Sequence, residues 1–183
     1  KKLLIMAGQR LTDKTAMDSQ AGSGDLLMVV DVSDSTGSAQ GTSKQMDFKY
    51  VIQTDKISLS NAEVIDLDAN EKTLVGALSG YMITPLSVTV LCTYASSTES
   101  ARKDLLFGFD DSIDTSYWSR AQDCMDGKTT DMTYIVGGFD QSKNGAWTAS
   151  TINKPFICWA EGTGFTGGWS CDIYVTYCYT KVL

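Results

Sequence analysis

Apolar and polar residues alternate with a period of two along most of this chain, and almost nowhere with the period of a helix. Met46, Phe48, Tyr50 and Ile52 alternate with Asp47, Lys49, Val51 and Gln53, which predicts a strand with one face on a core. Met82, Leu86, Val88, Val90, Cys92 and Tyr94 share a predicted face opposite Ser87, Thr89 and Thr93. Near the end, Trp169, Cys171, Ile173, Val175, Tyr177 and Tyr179 alternate with Ser170, Asp172, Thr176 and Thr180, a strand long enough to be central to its sheet. Shorter runs at 26–30, 73–78, 105–109, 132–136 and 156–160 are bounded by turn-forming residues and read as further strands.

Helical signals are confined to single turns. Ser60-Asn61-Ala62-Glu63 has capping-box spacing, in which the Ser hydroxyl and the Glu carboxylate each satisfy an orphan amide, and Asp66 and Asp68 end the turn soon afterwards. The stretch 112–125 is a second helical candidate, weakened by its Ser, Thr, Asp and Trp content. Many short strands with regular turns predict a mainly β fold: an antiparallel β-sandwich, jelly-roll-like, preceded by an extended N-terminal arm. Residues 1–54 are rich in Ser, Thr, Asp, Gly and Gln and are assigned to the arm, used for attachment and oligomerisation. Residues 55–183 hold all four Trp and are assigned to the sandwich.

Composition narrows the chemistry. The 183 residues contain no histidine, which removes Ser-His-Asp and Cys-His catalysis and every imidazole metal site. A formal charge of −7 with scattered Lys and Arg argues against a nucleic-acid partner. Leu3-Leu4-Ile5-Met6-Ala7, after Lys1-Lys2, is too short to span a membrane, so no membrane insertion is expected. Cys92, Cys124, Cys158, Cys171 and Cys178 contain no C-x-x-C pair; they are expected to be reduced thiols acting as small buried hydrophobes.

Four groups of residues carry candidate chemistry. Asp31, Ser33 and Ser35 form D-x-S-x-S after an apolar strand, a spacing that offers one carboxylate and two hydroxyls to a divalent cation. An EF-hand starting at Asp31 fails, because its sixth position is Thr36 and its twelfth is Thr42. Asp110, Asp111 and Asp114 pair carboxylates as glycoside hydrolysis requires, but Asp after Phe107-Gly108-Phe109 is favoured by turn geometry alone. Gly162-Thr163-Gly164-Phe165-Thr166-Gly167-Gly168-Trp169 has the glycines of a phosphate loop yet precedes a strand instead of following one, so it reads as a hairpin loop. Trp118, Trp147, Phe165 and Trp169 lie in or beside polar loops, where aromatic residues of a β-sandwich more often pack over the end of a sheet and, in the other reading, stack on the sugar rings of a host cell-surface glycan. No catalytic residue, enzymatic activity or cofactor is expected.

Two resemblances follow. Asp25-Leu-Leu-Met-Val-Val-Asp-Val-Ser-Asp followed by Gly41-Thr42-Ser43-Lys44 resembles the N-terminal linker of phage fibre and appendage proteins. Ile57-Ser-Leu-Ser-Asn-Ala-Glu-Val-Ile-Asp-Leu, Thr73-Leu-Val-Gly-Ala and Ser87-Val-Thr-Val are similar to the opening of β-sandwich domains in phage head fibres, decoration proteins and tail-tip proteins, although Leu78-Ser79-Gly80 departs from the usual Pro-Gly turn. The resemblance implies a non-enzymatic virion component, assembled in the host cytoplasm, homotrimeric, and held to other virion proteins through the arm. The alternative is a von Willebrand A-like adhesion domain, whose divalent-metal site also follows a hydrophobic strand with D-x-S-x-S, here Asp31, Ser33 and Ser35. That fold requires a parallel sheet wrapped by long helices, and Asp110 and Asp140 are the available later carboxylates.

Overall fold

The computed structural model describes residues 26–31, 33, 36, 42–47, 51–100, 102–109, 117–137 and 151–182. The chain divides into two compact units, Lys1–Phe48 and Lys49–Leu183. In the first, β1 (Leu26–Asp31) pairs antiparallel with β2 (Thr42–Asp47), from Leu26 opposite Asp47 to Asp31 opposite Thr42. The predicted arm thus contains a hairpin, and Asp31 and Thr42 are the last pair of its ladder before the polar connection.

The strand expected over Met46–Ile52 is not one element. β2 ends at Asp47, and β3 (Gln53–Leu59) opens the second unit by pairing with the C-terminal strand, Tyr177 opposite Gln53. The Tyr177 hydroxyl also donates to Asp55 Oδ2 at 2.8 Å and to Gln53 Oε1 at 3.2 Å. These contacts draw residues 53–55 into the sandwich, so the division at Phe48/Lys49 precedes the boundary expected at 54/55.

After β3 come helix α1 (Asn61–Ile65) and a 3-10 turn at Asp66–Asp68. The Ser60 capping box is present: Ser60 Oγ accepts from the Glu63 amide, and Glu63 accepts from the Ser60 amide at 2.9 Å. The remaining strands are β4 (Lys72–Val75), β5 (Tyr81–Tyr94), β6 (Leu105–Gly108), β7 (Tyr117–Ala121), β8 (Met132–Val136), β9 (Phe156–Ala160) and β10 (Trp169–Lys181). Residues 117–121 therefore correct the helical reading of 112–125. Tyr117, Trp118, Ser119 and Ala121 are all buried, so the strand shows no polar alternation in sequence.

Two four-stranded sheets result, ordered β3-β10-β5-β8 and β4-β9-β6-β7. Counted within the sandwich, the first strand pairs with the eighth, the second with the seventh, the third with the sixth and the fourth with the fifth. This is one long antiparallel hairpin rolled over itself, the strand order of a jelly roll. Every ladder between strands among the described residues is antiparallel, and the only α-helix among them has five residues. The von Willebrand A alternative, which needs a parallel sheet with helices between its strands, is overturned by this architecture.

The core lies between the sheets. Val88, Val90 and Cys92 of β5 face Phe107, Phe156 and Cys158 of the second sheet across a buried cluster that includes Trp169, Ile173 and Val175. Leu86 does not share their face as the alternation predicted. Thr176 pairs with Ser87 and Tyr177 with Pro85, so Leu86 is the extra residue of a bulge and is 42% exposed, while Ile83 is buried on the near side. In the second sheet β6 and β9 are buried on both faces: Phe156, Cys158 and Ala160 belong to the main core, and Ile157 and Trp159 join Leu106 and Tyr117 in a second cluster. Gly108 is required there, since a Cβ on it would stand 2.9 Å from the Trp159 ring.

Candidate functional site

Strand direction sorts the connections onto two ends of the sandwich. The segments β3–β4, β5–β6, β7–β8 and β9–β10 share one end; β4–β5, β6–β7 and β8–β9 share the other. The first end is clamped by polar side chains. Glu99, 1% exposed, accepts from the amides of Thr166 at 2.6 Å and Gly167 at 2.9 Å and from the Thr166 hydroxyl at 2.9 Å. Its own carbonyl accepts from the Gly127 amide at 2.9 Å, so one residue ties together three connections. Asn61, just after the Ser60 cap, donates to the carbonyls of Gly167 and Trp169 at 2.8 and 3.0 Å.

Beside it, buried Asp104 accepts from Arg120 Nη1 at 2.7 Å and from the Asp123 amide at 2.9 Å. Lys103, also buried, donates to the carbonyl and hydroxyl of Thr163. The 122–127 turn carries left-handed backbone at Asp123 (φ 46°), Met125 (φ 65°) and Gly127 (φ 63°), held by Cys124 N–H to Lys103 O at 2.7 Å and Met125 N–H to Tyr134 Oη at 2.8 Å. Non-glycine residues adopt such angles only where surrounding contacts compensate.

This geometry settles the glycine-rich loop. Its amides at Thr166 and Gly167, which a phosphate would need, are already occupied by the Glu99 carboxylate. A Cβ on Gly168 would collide with Ser96 Oγ and lie 2.9 Å from the Ser97 amide, so the loop's glycines serve close packing of the β5–β6 connection.

The described residues of the opposite end include 76–80, 151–155 and the strand ends beside them. A half-open cavity of about 300 Å³ lies there, lined by Met82, Ile83, Thr84, Pro85, Phe109, Trp118 and Thr151. Polar ties among the described residues there include the Gly80 amide to Asn153 Oδ1 at 2.6 Å, the Asn153 amide to Tyr81 O at 3.0 Å, the Thr84–Thr180 hydroxyl pair at 2.8 Å and the Tyr179 hydroxyl to Gly76 O at 2.8 Å.

Of the aromatic residues weighed as glycan contacts, three are packed in the sandwich. Trp118 (4% exposed), Phe165 (1%) and Trp169 (0%) are core side chains. Trp118 stands edge-on to Phe156 with centroids 5.7 Å apart, and Trp169 stands edge-on to Tyr94 at 5.1 Å. Burying so large an apolar surface accounts for this placement, and Trp118 also lines the cavity described above. Trp147 lies outside the described residues, as do Ser35, Asp110, Asp111, Asp114 and Asp140. Of the D-x-S-x-S spacing, Asp31 closes the β1–β2 ladder and Ser33 is exposed in a turn. Among the described residues no group of three or more Cys, Asp or Glu side chains is disposed to hold a metal ion, and no helix is long and apolar enough to cross a membrane.

Sequence spacing missed a cluster of thiols. Cys92, Cys124, Cys158 and Cys171 are buried and Cys178 is half-buried, all as free thiols. Cys92 and Cys171 are direct cross-strand partners on β5 and β10, and the Cys171 thiol donates to Cys92 Sγ at 3.5 Å. Hydrogen bonds from Cys124 and then Cys171 hold the Cys92 thiol below the ordinary range, whereas the same bonds and burial push Cys124 and Cys171 up. Cys158 stands apart, raised to about 12 by burial. The signal that would have found the cluster is register: Cys92 and Cys171 fall on inward positions of two long alternating strands.

No protein-family model matches the chain, and no curated protein matches it significantly. Among solved structures the chain is similar to the capsid asymmetric unit of cyanophage Pam1, with TM-score 0.41 and 12% identity over 96% of this chain and 99% of that one. It is also similar to the acidic stable capsid structure of Helicobacter pylori bacteriophage KHP30, with TM-score 0.41 and 11% identity over 86% of this chain and 95% of that one. At these scores neither likeness assigns a function to this chain.

Proposed function

We propose that the chain is a structural component of a phage virion, a head fibre, capsid decoration or tail-appendage protein, which works through protein interfaces and not through chemistry. The observation that carries this reading is the strand order β3-β10-β5-β8 and β4-β9-β6-β7. Jelly rolls of this kind serve as viral shells, lectins and cupins. A cupin-type metal centre built on imidazole is closed to a chain without histidine. A lectin-type stacking platform is not provided by Trp118, Phe165 or Trp169, all in the core. The clamped end supplies the rigidity that a shell component requires, and the linker-like segment around β1 and β2 supports attachment by the first unit to other virion proteins and to further copies, as a trimer.

The test is a truncation beginning at Lys49. By light scattering the full chain is expected to run as a trimer and the truncated chain as a folded monomer. A truncated chain that remains trimeric moves the self-association into the sandwich, and a monomeric full chain that leaves purified particles unbound sinks the reading.

A further inference from the structure

We infer that Cys92 and Cys171 form a covalent cross-link site, a cross-strand disulfide that peroxide closes inside the sandwich and a thiol reductant opens. The two residues are opposite one another in the β5–β10 ladder, and their sulfurs already stand 3.5 Å apart on the inward face. Directly opposed residues of antiparallel strands have Cα atoms about 4.5–5.5 Å apart, inside the span of about 4.4–6.8 Å that a disulfide bridges without backbone movement. Rotation of side chains is therefore enough to bring the sulfurs to bonding distance.

The neighbouring residues fix which sulfur reacts first. Interaction with Cys124 and donation from the Cys171 thiol, whose sulfur is 3.5 Å away, favour the Cys92 thiolate, the nucleophilic form. Cys124 sits in the 122–127 turn, whose backbone is pinned to Lys103 and Tyr134. The site is closed to bulky reagents, with Cys92 and Cys171 only 1% and 3% exposed, but hydrogen peroxide is close to water in size.

The step balances as follows. The Cys92 thiolate attacks one peroxide oxygen, the O–O bond breaks, and a Cys92 sulfenic acid forms with release of hydroxide, which takes up the thiol proton as water. The Cys171 sulfur then attacks the Cys92 sulfur, the S–O bond breaks, and a second water leaves with the Cys171 proton. Two thiols lose two electrons in all, and one peroxide gains them. On the virion reading above, this would close the staple after a particle leaves the reducing host interior; the cross-link itself does not depend on that reading.

The full-length native chain is treated with dilute hydrogen peroxide, quenched with catalase, unfolded in N-ethylmaleimide and digested without reductant for mass spectrometry. The expected product is the Cys92–Cys171 linked peptide pair, with Cys158 still alkylated as a thiol. The melting midpoint rises by about 5 °C or more, because the bridge closes a long loop of the unfolded chain, and falls back with dithiothreitol. Cys124→Ser still forms the linked pair, more slowly, whereas Cys171→Ser gives neither the pair nor the rise. Cys92 and Cys171 recovered as free thiols, as separate sulfinic acids, or with Cys92 joined to Cys124, would overturn the inference. Failure of this assay leaves the particle reading untouched, since that reading is decided by self-association and particle binding.

Discussion

The two ends of the sandwich are built from the same strands but by different means. At one end, four connections are fastened by carboxylates and amides from distant parts of the chain: Glu99 to Thr166 and Gly167, Asn61 to Gly167 and Trp169, Asp104 to Arg120 and Asp123. At the other, an apolar cavity lies between Met82, Pro85 and Trp118, and the ties among the described residues join Gly80 to Asn153, Thr84 to Thr180 and Tyr179 to Gly76. The comparison teaches that the first end fastens its connections with buried polar groups satisfied across the chain, in addition to the hydrophobic core. A buried carboxylate with all its acceptors filled locks a loop, because releasing it would strand both the charge and the amides.

Removing the clamp should produce the largest effect. Glu99→Ala leaves the amides of Thr166 and Gly167 without their acceptor, and is expected to cost about 3–4 kcal/mol, read as a lower urea midpoint with an unchanged slope. Gly168→Ala should fall in the same class through steric conflict with Ser96 and Ser97. A loss below about 1 kcal/mol in both variants would show that the connections are held by the core and would erase the contrast.

An intermediate effect is expected at the opposite end. Asn153 adopts φ 61° and accepts from the Gly80 amide. Asn153→Ala loses both that bond and the tolerance of Asn for left-handed backbone, and should cost about 1–2 kcal/mol by thermal melting. Asn153→Gly keeps the backbone relaxed and should cost less than Asn153→Ala. The reverse order would mean that the turn is held elsewhere.

Much of this fold was legible because a half-buried antiparallel strand writes itself as alternation. The alternation at 132–136 has the bounds of β8, β10 shows its inward face from Trp169 to Tyr179, and β9, buried on both faces, is marked instead by a short apolar run between turn residues. Where burial is two-sided or register slips, the pattern fails. β7 hid because nearly every residue in it is buried, and Leu86 was given the wrong face because a bulge shifts parity in the middle of β5. The site was much less legible. Glu99 is one acid in a run of Ser and Thr, and nothing local marks it as the acceptor for a loop 67 residues away. Aromatics in glycine-rich surroundings read as exposed, yet the glycines at 167 and 168 are what allow Trp169 to pack fully beneath the loop.

The smallest effect concerns the cap of α1, also at the clamped end but on the surface. The Lys72 ammonium, with the Ser60 amide and hydroxyl, holds the Glu63 carboxyl down to about 2. A lowered carboxyl stabilises the fold above its unfolded pKa of about 4.5, and that contribution is lost as the pH falls from there towards 2. Glu63→Gln should therefore lower the melting midpoint slightly at pH 7 and converge on the parent near pH 2. Because the group is exposed, solvent keeps the difference small. A gap that widens on acidification would contradict the assignment.

The proposed role of the chain as a structural component of a phage virion is open to a direct test. The most direct measurement is electron microscopy of purified phage particles labelled with a gold-conjugated antibody raised against residues 49–183. The account predicts gold at regular positions on intact particles, on the head surface or the tail. Gold confined to unassembled material, with particles bare at saturating antibody, would contradict it.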